Sequence, residues 1–150
     1  MIIRKATVND IPGIKSIIDY YSKLEKMLPR SLSELYEFTR SFYVCEIENE
    51  IVGCCALQVS WEDMAEVLSF AVKPEHRGKG IGTELVRVCL EDAKKLGINN
   101  VFTLTYAVPF FEKQGFEKID KQLLPHKVWS GCIKCPKFPN CDEVAMMRRI

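Results

Sequence analysis

The chain has 150 residues, 47% hydrophobic and 27% charged, and its 21 Lys+Arg and 20 Asp+Glu leave a net charge of +1. That is enough chain for one buried core and too little for a second, so a single domain over residues 1–150 is expected. The balanced charge gives no electrostatic case for nucleic acid or a membrane surface as partner. No apolar run approaches the roughly 18 residues that would span a bilayer, and Arg4, Lys5 and Asp10 stand where a signal peptide would be apolar. With seven cysteines and no secretion signal, reduced thiols or metal ligands are expected rather than disulfides, and a cytoplasmic location with them.

In chain order, Ile2 to Arg4 reads as a short strand. Asn9 or Asp10 caps a helix with Pro12 in its first turn and an apolar stripe of Ile11, Ile14, Ile17, Ile18, Tyr21 and Leu24. After a turn at Met27-Leu28-Pro29-Arg30, the capping box Ser31-Leu32-Ser33-Glu34 opens a second helix reaching about Phe42. Composition alone leaves Arg30 open between a solvated surface charge and an anion clamp. Tyr43 to Ile47 and Ile51 to Val59 form a hairpin in which the adjacent Cys54 and Cys55 point to opposite faces. A polar connection, Ser60 to Asp63, leads to a strand from Ala65 to Val72. On plain alternation Glu66 shares a face there with Leu68, Phe70 and Val72. A carboxylate among apolar neighbours has its pKa raised toward general-base range; otherwise Glu66 marks the solvent end of the strand.

The next stretch holds the strongest signal. A buried strand ending in Phe70-Ala71-Val72 runs through Lys73-Pro74-Glu75-His76 into Arg77-Gly78-Lys79-Gly80-Ile81-Gly82-Thr83 and then a helix to Leu96, stopped by Gly97. Glycines at 78, 80 and 82 let the backbone approach a ligand, and the first-turn amides and dipole of the helix point at it. With Arg77 and Lys79 adding charge, the expected guest is a phosphate or pyrophosphate. No Lys-Ser or Lys-Thr follows the last glycine, and the spacing is G-x-G-x-G, so neither a P-loop nor a dinucleotide fingerprint is present. Leu85, Val86, Val88, Cys89, Leu90, Ala93 and Leu96 form the core face of the helix. A strand over Val101 to Thr105 follows, then a short helix through Pro109-Phe110-Phe111-Glu112-Lys113-Gln114, a stop at Gly115, a strand from Phe116 to Asp120, and a last strand over Val144 to Met147. Tyr106 lines the pocket or serves as an acid. In the tail, Cys132, Cys135, Cys141 and His126 have the types of zinc ligands, but one C-x-x-C is not two, and the expectation is reduced thiols with no metal.

The R-x-x-G-x-G motif of Arg77, Gly80 and Gly82 resembles the acetyl-CoA pyrophosphate loop of the GNAT N-acetyltransferases, and Phe111-Glu112-Lys113-Gln114-Gly115-Phe116 resembles their Tyr-x-x-x-Gly-Phe segment, with Phe at the tyrosine position. Leu28-Pro29-Arg30-Ser31, Cys54-Cys55-Ala56-Leu57, Glu66 to Val72, Leu124-Pro125 and the cysteine-bearing tail look like the acetyltransferase domain of N-acetylglutamate synthases, and in particular their short, stand-alone form. The resemblance implies an α/β (α+β) GNAT fold with a central mixed, mostly antiparallel sheet flanked by helices. It implies acetyl-CoA as co-substrate, held by Phe70, Ala71 and Val72 and by the loop Arg77, Gly78, Lys79, Gly80, Ile81, Gly82 and Thr83. Glu66 is implied as base, with Arg30 and more weakly Lys127 on the acceptor's carboxylates. The implied reaction is acetylation of the α-amine of L-glutamate, the first step of arginine biosynthesis, and a homodimer is compatible with it. The kinase domain that carries arginine feedback in the long enzymes is not expected within these 150 residues, so no regulatory mechanism is carried over. The alternatives are a GNAT acting on another amine (amino acid, polyamine or protein N-terminus) and a non-catalytic acyl-CoA- or metal-binding module.

Overall fold

The computed structural model describes residues 1–124 and 142–150. Among these, seven strands form one sheet in the order β1 (Ile2–Lys5), β2 (Phe42–Ile47), β3 (Glu50–Trp61), β4 (Met64–Val72), β5 (Asn100–Thr105), β7 (Val144–Arg149) and β6 (Glu117–Lys118). Neighbours are antiparallel except for β4 and β5, which run parallel. This is the mixed, mostly antiparallel sheet expected. Helices α1 (Ile11–Lys23) and α2 (Leu32–Glu37) lie on one face, and α3 (Ile81–Lys95) and α4 (Val108–Lys113) on the other.

Helix α1 buries Ile11, Ile14, Ile17, Ile18 and Tyr21 against Val44, Cys54, Ala56 and Ala71. Its entry is fixed by the buried Asp10, which accepts from the Thr7 amide and takes a two-pronged bond from Arg4 at 2.7 and 2.9 Å. The helix stops at Lys23, so Leu24, expected on the stripe, is half exposed. Helix α2 is capped as expected, with the Ser31 hydroxyl accepting from the Glu34 amide at 3.1 Å. It ends at Glu37, however, not near Phe42. The Thr39 hydroxyl donates to the Tyr36 carbonyl at 2.7 Å, a short 3-10 turn follows, and Phe42 is fully buried as the first residue of β2.

On the opposite face, α3 packs Ile81, Leu85, Val86, Cys89 and Ala93 onto Cys55, Leu57, Val67 and Phe111. Gly97 ends it at φ +84°, and Leu96 is turned out to solvent. The β3–β4 connection is tighter than the sequence suggests, with β3 running to Trp61 and only Glu62 and Asp63 between the strands. Asp63 accepts from the Asn99 amide at 2.8 Å, tying this turn to the start of β5. Strand β6 is two residues rather than five, extended by one bond from the Ile119 amide to the Ala145 carbonyl, because Phe116 leaves the strand line to enter the core.

Candidate active site

Strands β4 and β5 pair only over Met64–Asn100, Ala65–Val101 and Glu66–Phe102. Beyond Glu66 they part, and at the fork the Thr103 hydroxyl donates to the Val67 carbonyl at 2.9 Å. Among the described residues, the edge of β4 that faces β5 therefore has no strand partner from there on. On its other edge β4 bulges. Leu68 pairs with Ala56 and Ala71 with Cys54, so Ser69 and Phe70 stand against Cys55 alone, and Ser69 takes φ +51°. The extra residue reverses the alternation of side chains. Ala65, Val67, Phe70 and Val72 belong to the α3 side, whereas Leu68 and Ala71 belong to the α1 side. Glu66 thus keeps Leu68 as a same-face neighbour but not Phe70 or Val72, contrary to plain alternation.

A cleft of about 1170 Å³ occupies the fork, reaching from Arg30 and Glu66 at one end to the glycine loop at the other. Gly78 (φ +78°) and Gly80 (φ +80°) adopt the left-handed region, and nothing among the described residues lies within 4 Å of where a Cβ would project from either. The first helical bond of α3 runs from the Glu84 amide to the Gly80 carbonyl, leaving the amides of Ile81, Gly82 and Thr83 without an intrahelical acceptor. Gly82 is needed for a different reason, since a Cβ there would meet Phe70 Cζ at 2.8 Å. Phe70, Ala71, Val72, Arg77, Gly78, Gly80, Ile81, Gly82 and Thr83 all line the cleft. The Ile81 side chain is buried in the core, so only its backbone is offered. Lys79 stands off the cleft lining, its Nζ 3.3 Å from His76 Nδ1.

Arg77 is held by a residue that the sequence reading assigned only to packing. Its Nη2 donates to the Tyr21 hydroxyl at 2.7 Å, with the guanidinium carbon 5.3 Å from the ring centroid, and that hydroxyl donates to the Val72 carbonyl at 2.5 Å. One side chain from α1 therefore fixes both the end of β4 and the loop arginine.

At the far end, burial raises the Glu66 carboxyl from its ordinary 4.5 to about 7, opposed by the positive charge of Arg30 and reinforced by the negative charge of Glu143. Arg30 is an inward residue, with only 12% of its side chain exposed. Its guanidinium lies over the Phe38 ring at 5.6 Å, and Nε is 3.9 Å from a Glu34 oxygen. Nε is buried without a hydrogen-bond acceptor among the described residues. Lys127 lies outside the described residues, as do His126, Cys132, Cys135 and Cys141.

Sequence reasoning missed Gln58, the cross-strand partner of Glu66, and the placement of Asp142 and Glu143 in the cleft wall. Tyr106, also in that wall, donates from its hydroxyl to Asp142 at 2.6 Å. Phe111 is 2% exposed and packs edge-on against Phe70, Phe110 and Phe116, so the ring belongs to the core beneath the cleft. Cys54 and Cys55 occupy opposite faces, both fully buried. Burial pushes the Cys54 thiol up to about 12, which suits packing rather than nucleophilic chemistry. Among the described residues no group of three His, Cys, Asp or Glu is placed to hold a metal, and no helix is long and apolar enough to cross a membrane.

Residues 14–116 match the model of the acetyltransferase (GNAT) family. The chain belongs to that family. It is 36% identical over 148 residues to an uncharacterized N-acetyltransferase of Chlorobaculum tepidum, covering 99% of this chain and 96% of that one. It is 37% identical over 122 residues to an amino-acid acetyltransferase of Mycobacterium tuberculosis, covering 79% of this chain and 70% of the relative. Among solved structures, Rv2747 of M. tuberculosis, in a complex containing CoA, superposes with a TM-score of 0.87 at 30% identity over 100% of this chain and 99% of that one. The N-acetylglutamate synthase of Neisseria gonorrhoeae, complexed with coenzyme A and N-acetyl-glutamate, gives 0.90 at 25% identity. That match covers 99% of this chain but 34% of the larger protein. The GNAT chain is an N-acetyltransferase with acetyl-CoA as its donor.

Proposed function

We propose that the acceptor is L-glutamate, acetylated on its α-amine, with Glu66 as base and Arg30 on a carboxylate. The observation that carries this is the buried Arg30 Nε, without a hydrogen-bond acceptor among the described residues, in the same cleft as a carboxyl titrating near neutrality. An N–H without an acceptor among the described residues is unsatisfied as it stands, and the guanidinium that carries it lines the cleft, where a carboxylate would match its fork. The curated relatives named amino-acid acetyltransferases support an amino-acid acceptor, and the N-acetyl-glutamate bound by the Neisseria synthase supports this one.

The donor fits the residues present. The open space over Gly78 and Gly80, the three spare amides of Ile81, Gly82 and Thr83, and Arg77 behind them suit a pyrophosphate. The unpaired edge of β4 beyond Glu66 suits an extended arm carrying amide groups. Acetyl-CoA supplies an activated thioester. The protein's part is to orient the amine and take its proton at a Glu66 oxygen, directly or through water, and to offer backbone N–H groups of the β4 edge to the oxygen where negative charge develops. Phe111 has no proton to give. A thiol of pKa about 8.5 leaves as thiolate and is protonated by solvent. Downstream, the same reading places the product at the first step of arginine biosynthesis.

The test is mass identification of the product formed from acetyl-CoA with an equimolar mixture of amino acids and a polyamine. The reading predicts acetylglutamate as the main product. Because Asp142 and Glu143 also line the cleft, acetylation of a cationic acceptor would instead assign the acceptor end to those carboxylates and overturn glutamate. Saturable acetyl-CoA binding without any acetylated product would point to a binding module.

A further inference from the structure

The end of the cleft that holds Arg30 and Glu66 contains a third polar side chain without an assigned role. Gln58 on β3 is the register partner of Glu66 on β4. Residues paired directly across an antiparallel ladder project to the same side with Cβ atoms about 4.5–5.5 Å apart. That side is the α1 side, because the flanking Leu57, Ala65 and Val67 all pack toward α3. Gln58 lines the cleft, is partly exposed to it, and its side chain forms no hydrogen bond with any described residue. Its carboxamide therefore offers an acceptor oxygen and an N–H pair to whatever occupies the cleft, whereas the Asn100 carboxamide in the same sheet is taken up by Asp63. Gln58 and Arg30 both line this cleft, and among the described residues neither the Gln58 carboxamide nor Arg30 Nε has a hydrogen-bond partner.

We propose that Gln58 is a further acceptor-contacting residue, its side-chain oxygen accepting an N–H of the attacking amine opposite Glu66. This rests on the reading of Glu66 as base and Arg30 as carboxylate seat. A primary amine held by Arg30 through its carboxylate alone can still rotate about the bond that carries the nitrogen. One N–H directed at Glu66 and a second at Gln58 fix that rotation and leave the lone pair pointing along the remaining direction, toward the parted edge of β4. The carboxamide suits this place because a second carboxylate opposite Glu66 would repel it, whereas a neutral oxygen accepts the N–H without that repulsion.

The experiment compares Gln58→Leu and Gln58→His with wild type, measuring kcat and KM for acceptor and for acetyl-CoA well above neutral pH, where Glu66 is ionised. The acceptor is whichever amino acid the wild type acetylates. Failure of glutamate as that acceptor therefore overturns the substrate reading without touching the test of Gln58. Loss of one hydrogen bond to a charged or charge-developing group predicts a rise of about 10-fold or more in acceptor KM for the leucine variant. The acetyl-CoA KM should be unchanged, which also shows that the sheet and loop have folded. The histidine variant, neutral at this pH, restores an uncharged acceptor for the N–H at the same reach and should recover most of that loss. An unchanged acceptor KM in the leucine variant overturns the proposal. So does a histidine variant as impaired as leucine or worse, because that pattern would mean that position 58 only packs the strand.

Discussion

Replacing Glu66 by glutamine should make the protein more stable above neutral pH, and the size of the effect follows from the site. The carboxyl is at about 7 in the folded protein against an ordinary value of 4.5. Between those values the native state holds its proton while the unfolded chain has released it. Stability therefore falls as pH rises through this window, and the whole penalty is present above it. At about 1.36 kcal/mol per pH unit the cost reaches roughly 3 kcal/mol. The amide cannot ionise and escapes it. Urea unfolding of both proteins between about pH 4 and pH 9 checks this, since groups titrating in both cancel in the difference. The difference should lie near zero at the acid end, grow from about pH 4.5 to 7, and level off at up to about 3 kcal/mol in favour of the variant. The variant should at the same time lose turnover with little change in acetyl-CoA affinity. A difference that stays flat with pH would refute the partly buried, proton-holding Glu66 on which the mechanism rests.

Arg30→Met should raise the glutamate KM by about 10-fold or more while leaving the acetyl-CoA KM alone. Because the charge of Arg30 holds the Glu66 pKa down, the same variant should move the acid limb of kcat/KM above its wild-type position, which steady-state kinetics over pH would detect. Gly82→Ala brings a methyl within 2.8 Å of Phe70 Cζ, a misfit costing about 1–3 kcal/mol. It should raise the acetyl-CoA KM more than the glutamate KM, and adding Phe70→Leu should relieve much of the effect.

What the sequence showed and hid follows physical lines. The glycine loop was legible because positive φ and close approach restrict which residues can serve at 78, 80 and 82. The strand–loop–helix order then locates the anion site without tertiary information. The bulge was not legible. Ser69 carries φ +51° with no glycine to announce it, and the reversal that takes Phe70 and Val72 away from the face of Glu66 comes from register with β3. On composition Arg30 read more readily as a surface charge, and only the family resemblance pointed it at the acceptor, since its burial depends on how the segment between α1 and α2 folds back beside Glu66. The end of α2 was overrun because a hydroxyl at Thr39 competing for carbonyls, and a core site waiting for Phe42, do not disturb the apolar pattern. Tyr21 and Gln58 were missed for a common reason, that their partners are 51 and 8 residues away and only the fold supplies them.

The central claim is that one cleft joins a coenzyme A loop to a glutamate seat with Glu66 as base. Its most direct test is the initial rate of CoA release from acetyl-CoA with L-glutamate, followed from about pH 5.5 to 9 for wild type and Glu66→Gln. The account predicts glutamate-dependent release whose acid limb lies near pH 7 in the wild type, and a variant with a low rate and no such limb. A variant as active as wild type across the range, or release that glutamate does not increase, would contradict it.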